Sequence, residues 1–206
     1  MIDGRLNLVD WRRRMSELYA AVRADADPKH AWSLWKATRE QLFVEHPESP
    51  LPQPERDLEH VPAYYDYDPS YRCVATVTEG GSGQKVAVPA SLNDDGYRLL
   101  DAGTAHMELG GNPVQLHLLW FEDYAGGLML MFRDGTSASE TYGAGRYVID
   151  TAKGADLGMS GNGIVLDFNF AYQPSCSYDP NWSCPLPPRE NWLDVAVRAG
   201  ERLRSF

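Results

Sequence analysis

From Asp10 onward the apolar residues Trp11, Met15, Leu18, Tyr19 and Val22 recur at helical spacing, which predicts an amphipathic helix with Asp10 as its N-cap. Asp27-Pro28 marks a second start, a capping carboxylate followed by proline at the first helical position. Trp32, Trp35, Leu42 and Phe43 then carry an apolar stripe as far as His46-Pro47. Prolines at 47, 50, 52, 54, 62 and 69 follow, forbidding regular helix and removing ladder donors, so this segment is predicted to run extended over the surface as a strap. Beyond Tyr71 the period becomes two. Cys73, Ala75 and Val77 alternate with Arg72, Val74, Thr76 and Thr78, and Gly80-Gly81-Ser82-Gly83 turns the chain into Lys85–Val88.

Further strands are predicted at Tyr97–Asp101, Thr104–Leu109, Val114–Phe121, Leu128–Phe132, Arg146–Asp150, Ile164–Asn169 and Leu193–Arg198. None of the gaps holds a helical crossover, so the sheet should be antiparallel. The expectation is one α+β domain over residues 1–206, mainly antiparallel β. It would hold a helical hairpin over 1–46, the strap over 47–70 and a β-domain over 71–206 with a long C-terminal loop. About eight to nine strands would fit either a barrel or a sandwich.

Composition narrows the partners. With 43% hydrophobic and 23% charged residues the chain can build a core, and its net charge of -10 disfavours nucleic acid and anionic lipid surfaces. The start lacks the charged and apolar regions of an export signal, and no apolar run approaches membrane-spanning length, so a cytoplasmic protein is expected. Three cysteines, Cys73, Cys176 and Cys184, then read as reduced thiols.

The candidate chemistry concentrates in two segments. Asp134–Tyr147 crowds carboxylates, hydroxyls, Arg146 and two tyrosines between strands, as loops carrying functional groups do. In Asp167–Cys176, strand alternation would put Asp167 and Asn169 on one face, and Leu166, Phe168 and Phe170 on the other. If the segments meet, they form a small-molecule pocket: the Arg146 fork holds an anionic or carbonyl group, Glu140 or Asp167 acts as acid or base, and Tyr142, Asn169 and Tyr172 line the wall. The same residues also fit structural ion pairs that tie loops down, and Tyr147 fits a core aromatic with a satisfied hydroxyl. A different class of function, a non-catalytic interaction module, would use Trp11, Trp32, Trp35 and the proline strap.

A hairpin turning at Gly111-Asn112 would set His106 directly opposite His117, with Glu108 and Gln115 beside them, giving candidate ligands for zinc or iron. A solvated polar face produces the same alternation. Cys176 and Cys184 are separated by seven residues, too far for a zinc-knuckle half, although a proline-rich loop could bring them together as a disulfide. A nucleophilic Cys176 would need a neighbouring base, and no histidine is near it in sequence. Gly143-Ala144-Gly145 lacks the rest of a dinucleotide fingerprint. No cofactor or oligomeric state is assigned by these patterns.

The blocks Asp134-Gly135-Thr136-Ser137-Ala138, Glu140-Thr141-Tyr142-Gly143, Gly145-Arg146-Tyr147, Asp167-Phe168-Asn169, Ala171–Cys176 and Cys184-Pro185-Leu186-Pro187-Pro188 carry a resemblance. Together they resemble the prokaryotic family called domain of unknown function 1684. Its pattern runs Asp-Ala-Thr-Ser-Gly, Glu-Thr-Tyr-Gly, Gly-Arg-Tyr, Asp-Phe-Asn, Ala-Tyr-Asn-Pro-Pro-Cys and Cys-Pro-Leu-Pro-Pro. Here Gly135 and Ala138 stand where that pattern has Ala and Gly, Gln173 and Ser175 where it has Asn and Pro, and Phe170 near a usual basic residue. The resemblance, which includes the Asp10-Trp11-Arg12 start and the final Ala199-Gly200-Glu201, implies kinship over nearly the whole chain and brings no activity or cofactor with it.

Overall fold

The computed structural model describes residues 2–80, 84–92, 96–122 and 126–204. The predicted turn at Gly81–Gly83 lies outside the described residues. Two helices come first, α1 (Ile2–Ala24) and α2 (Pro28–Glu45). The expected cap at Asp10 is corrected: α1 starts earlier through exposed residues that give no apolar stripe. Asp10 sits mid-helix, paired with Arg13, with Arg14 at 2.7 Å and with His46 at 3.2 Å. The second start is as the sequence predicts, because Asp27 accepts from the Lys29 and His30 amides at 2.9 and 3.2 Å. Pro47 then holds His46 extended at φ -82 and ψ 136, which ends α2.

The strands are β1 (Ala63–Tyr64), β2 (Arg72–Thr78), β3 (Lys85–Val88), β4 (Tyr97–Leu109), β5 (Asn112–Phe121), β6 (Gly127–Phe132), β7 (Arg146–Asp150), β8 (Met159–Ser160), β9 (Gly163–Asp167) and β10 (Glu201–Arg202). The main sheet is antiparallel in the order β7-β6-β5-β4-β2-β9-β8, with β3 also on β4, and curls into a half-barrel. A small second sheet pairs β1 in the strap with β10 near the C-terminus. The strap is not purely extended. It holds a 3-10 turn at Gln53–Glu55, and its Leu51 and Val61 pack against Phe43 of α2.

Three strand boundaries are corrected by tertiary pairing. Tyr97–Asp101 and Thr104–Leu109 are one strand, β4, with a bulge between Asp101 and Gly103; the first part pairs β3 and the second β2. Gly103 sits at φ 130, and a Cβ there would stand 2.6 Å from the Thr78 carbonyl oxygen, so only glycine passes this point. Ile164–Asn169 stops at Asp167, whose carboxylate accepts from the Asn169 amide at 3.0 Å and caps a 3-10 turn over Phe168–Phe170. The alternation expected there therefore fails, and Phe168 and Phe170 enter opposite cores. Leu193–Arg198 is no strand; it crosses the sheet as irregular chain.

The sheet is covered on both faces. On one, Tyr19 of α1 and Trp35 of α2 meet Leu119, Met129, Met131 and Tyr147. On the other, Val197 and Ala199 of the C-terminal segment cover Leu116, Leu130, Phe132, Leu166 and Phe168. Alternation along β6 supplies both cores, Met129 and Met131 to the first and Leu130 and Phe132 to the second. Each fully buried large apolar side chain contributes about 1.5–3 kcal/mol. Gly200, at φ 78, lets the C-terminal segment pass the Ala171 and Phe168 carbonyls; a Cβ would come within 2.8 Å of Phe168 O.

Candidate functional site

The segments Glu140–Tyr147 and Asp167–Tyr172 do meet, but through Tyr147 and Tyr172 rather than through their charged residues. The two backbones pair at 2.8 and 3.0 Å, and the rings stand edge to face with centroids 5.6 Å apart. Both rings border a cavity of about 270 Å³ between the helices and the C-terminal loop. Trp11 and Met15 of α1, Arg39 and Phe43 of α2, and Gln173, Tyr178, Trp182 and Cys184 of the loop complete much of its wall. The Tyr147 hydroxyl donates to the Pro185 carbonyl at 2.5 Å and the Tyr172 hydroxyl to Asp150 at 3.4 Å. Burial holds the Tyr147, Tyr172 and Tyr178 hydroxyls well above the usual phenol range, so they stay protonated donors.

Arg39 and Glu201 form the charged element beside this hollow. Arg39 Nε and one terminal nitrogen donate to Glu201 Oε1 at 2.9 and 2.5 Å, and Oε2 accepts from the Gln173 amide at 2.7 Å and the Tyr178 hydroxyl at 3.0 Å. The guanidinium stacks 5.0 Å from the Trp35 and Tyr172 ring centroids. Burial works against its charge, yet Glu201 and the surrounding tyrosines hold its pKa above the ordinary arginine value. One polar atom in this wall has no such partner: Gln173 Oε1 is buried without a hydrogen bond among the described residues.

The other residues expected at the pocket are placed elsewhere. Arg146 is fully buried and donates to the carbonyls of Val197, Ala199 and Glu201 at 2.8, 2.5 and 3.2 Å, and to Asp134 at 3.4 Å. It fastens the C-terminal segment instead of facing the hollow. Glu140 lies at the surface, paired with Arg198 at 2.8 Å and accepting from Tyr65 at 3.0 Å. Asp167 is buried, with Arg72 at 3.1 Å and the Asn169 amide group at 2.8 Å; burial raises its pKa against those contacts. Asn169 both donates to and accepts from the Asp68 backbone, tying down the strap. Tyr142 reaches Cys176, with its hydroxyl 3.7 Å from Sγ.

The imidazole pair is corrected: the turn sits one residue earlier, which moves the residue opposite His106 by two. Gly110 and Gly111, both at positive φ of 54 and 81, make the two-residue turn, so Leu109 faces Asn112, His106 faces Gln115, and His117 faces Thr104. His106 contacts Thr78 Oγ1 at 3.0 Å, and Glu108 lies opposite Pro113. Among the described residues no group of three or more His, Cys, Asp or Glu side chains is placed to hold a metal. The interaction surface expected from the tryptophans is not formed either. Trp35 and Trp32 are 0% and 9% exposed in the core, while Trp11 packs on Phe43 and His46. No helix among the described residues is long and apolar enough to cross a membrane.

A family model described as a protein of unknown function, DUF1684, matches residues 56–202. The chain belongs to the DUF1684 family. It is similar to an uncharacterized protein of Haloarcula marismortui whose structure was solved by solution NMR. The two are 39% identical, with a TM-score of 0.59, over 82% of this chain and 92% of the other. No curated protein matches the chain. The DUF1684 match begins after both helices, so the cavity wall is built from inside the matched region and from outside it.

One backbone position has a measurable cost. Ala138 takes φ 70, alone among the described non-glycine residues in having a positive φ. Ala138→Gly should raise stability by about 1 kcal/mol, because the left-handed region strains a Cβ. Chemical denaturation midpoints would check this, and a lowered midpoint would contradict it.

Sequence reasoning missed the helix contribution to the cavity. Trp11 and Phe43 read as ordinary stripe residues, Arg39 carried no local motif, and Glu201 stood out only as the end of the block Ala199-Gly200-Glu201. The one available signal was a basic residue, Arg39, on the apolar stripe of α2, next to Trp35 and Phe43.

Proposed function

We propose that this DUF1684 protein binds a compact, planar small molecule in the cavity between its helices and its C-terminal loop. The observation that carries the reading is an aromatic hollow of about 270 Å³ beside a buried acceptor, Gln173 Oε1, that no protein donor satisfies among the described residues. The volume sits just under the usual span of ligand pockets, about 300–1,000 Å³, which favours a ligand of one or two rings. Trp11, Phe43, Tyr147, Tyr172, Tyr178 and Trp182 offer ring faces and edges to such a body, and Gln173, once its buried side chain turns toward the hollow, would accept from a ligand N–H or O–H. Arg39 is already neutralised by Glu201, so the ligand does not need a charge at that end.

Native mass spectrometry of protein purified from its own host, followed by thermal-shift titration with the retained compound, tests the reading. Gln173→Leu is the decisive variant. Its side-chain oxygen has no bond to lose and its nitrogen only a long 3.5 Å contact to the Tyr178 hydroxyl, so the fold should hold within about 1 kcal/mol. Affinity should fall by roughly tenfold or more as the ligand donor loses its acceptor. A chain that retains nothing and whose melting temperature no small aromatic compound moves would sink the proposal, as would equal affinity in the variant.

A further inference from the structure

Four charged side chains reach the wall of the cavity, Arg12, Arg39, Glu48 and Lys153, and they divide into two kinds. Arg39 is neutralised by Glu201, and Lys153 pairs with Asp150 at 3.0 Å. The other two have no such partner. Among the described residues neither the Arg12 guanidinium nor the Glu48 carboxylate makes a hydrogen bond or ion pair, and they do not pair with each other although they border the same hollow of about 270 Å³. Opposite charges on one small cavity, each left unpaired by the protein, are complementary to a ligand that carries both signs.

Their place in the fold puts this pair at the opening. Leu8, Trp11, Arg12 and Met15 recur at i, i+3, i+4 and i+7, so one stripe of α1 faces the hollow, running from buried Met15 to exposed Leu8. Arg12 is exposed, and a helical arginine leans toward the N-terminus, which carries its fork toward Leu8. Glu48, half-buried three residues past the end of α2, meets the same helix: its Oε1 is 3.9 Å from where a Cβ on Gly4 would stand, one turn before Leu8. The inner end is different. There the Gln173 amide donates to Glu201, and the unpaired Gln173 Oε1 is a neutral acceptor among rings. A ligand would enter ring first and leave its charged end at the rim.

We propose that the cavity ligand is an aromatic α-amino acid whose ring carries an N–H or O–H, with its carboxylate on Arg12 and its ammonium on Glu48. This rests on the cavity being a ligand site and adds the chemical class to it. The planar Arg12 fork matches a carboxylate with two parallel hydrogen bonds, and the Glu48 carboxylate accepts from an ammonium. The ring is the planar body held among the tryptophans and tyrosines, and its donor serves Gln173. A simple aromatic acid would set its carboxylate beside Glu48, and a simple aromatic amine would set its ammonium beside Arg12. Only the molecule with both groups leaves neither charge opposed.

The test is calorimetric titration of the full chain with L-tryptophan and L-tyrosine, each beside its amine (tryptamine, tyramine), its deaminated acid (indolepropionate, hydroxyphenylpropionate) and its neutral ring (indole, phenol). One amino acid should bind most tightly in its series, with the amine and the acid weaker by roughly three- to tenfold. Arg12→Ala should weaken the amino acid and the acid by a similar factor and leave the amine no weaker. Glu48→Gln should weaken the amino acid and the amine and leave the acid no weaker. Neither charged group has a protein bond to lose, so both variants should fold as the wild type does, and the wild-type series decides even if one does not. An amine, acid or neutral ring that binds as tightly as its amino acid overturns the proposal, as does a variant that weakens all three charged compounds alike. Tight binding of indole or phenol, weakened by Gln173→Leu, would overturn the zwitterion and leave the cavity reading intact. Binding by none of these compounds also overturns it, and the retained-ligand mass measurement then judges the cavity reading separately.

Discussion

Replacing Arg146 by methionine should lower the unfolding free energy by about 3–5 kcal/mol, the cost of breaking a buried charge network from one side. The guanidinium is 0% exposed, and its contacts reach the carbonyls of Val197, Ala199 and Glu201 as well as the Asp134 carboxylate. Methionine matches its length but donates nothing, so those carbonyls and the Asp134 carboxylate lose their donor. Lysine should rescue little, because one ammonium cannot reproduce a planar fork spread over four acceptors. The damage should concentrate where Val197 and Ala199 cover the second core, so amide exchange there should quicken before the rest of the chain unfolds. Urea titration measures the total. A loss below about 1 kcal/mol would mean that the C-terminal segment is held by its apolar contacts alone.

Arg39→Ala should cost a similar amount, about 3–5 kcal/mol, and shift the melting temperature down by roughly 6–20 °C. The change strands the Glu201 carboxylate in a site where Arg39 supplied two of its hydrogen bonds, leaving the Gln173 amide and the Tyr178 hydroxyl as its donors. It also removes the cation from between the Trp35, Phe43 and Tyr172 rings, which lie 5.0, 5.2 and 5.0 Å away. The double variant Arg39→Met with Glu201→Gln separates the two losses. If the uncompensated charge dominates, it should be more stable than Arg39→Ala; if lost ring packing dominates, restoring a neutral pair should recover nothing beyond the methionine packing of Arg39→Met alone. Calorimetry of the four proteins decides between them.

The two predictions share a design feature. Both arginines connect the last residues of the chain to elements far earlier in sequence, Arg39 from α2 and Arg146 from β7, and both converge on Glu201, one at its carboxylate and one at its carbonyl. The C-terminal segment contributes little regular structure of its own. Gly200 lets it lie close against Ala171 and Phe168, and the arginines then satisfy acceptors that no strand partner supplies.

Amino-acid sequence alone determined what depends on neighbours along the chain. Asp27-Pro28 started α2 because cap and helix lie within a few residues, Pro47 stopped it by constraining His46, and the period of two marked strands because pleating is local. The motif blocks also pointed to DUF1684 without coordinates. Tertiary structure alone decided which polar residues face a cavity and which fasten the fold, because Arg146 finds its backbone acceptors 51, 53 and 55 residues downstream, at carbonyls present in every sequence. It likewise decided the His106 register through the positive φ of two adjacent glycines, and it built the aromatic hollow by bringing Trp11 of α1 to Tyr172 and Tyr178 of the C-terminal loop. Partners that distant are selected by the packing of whole elements, which no local pattern encodes.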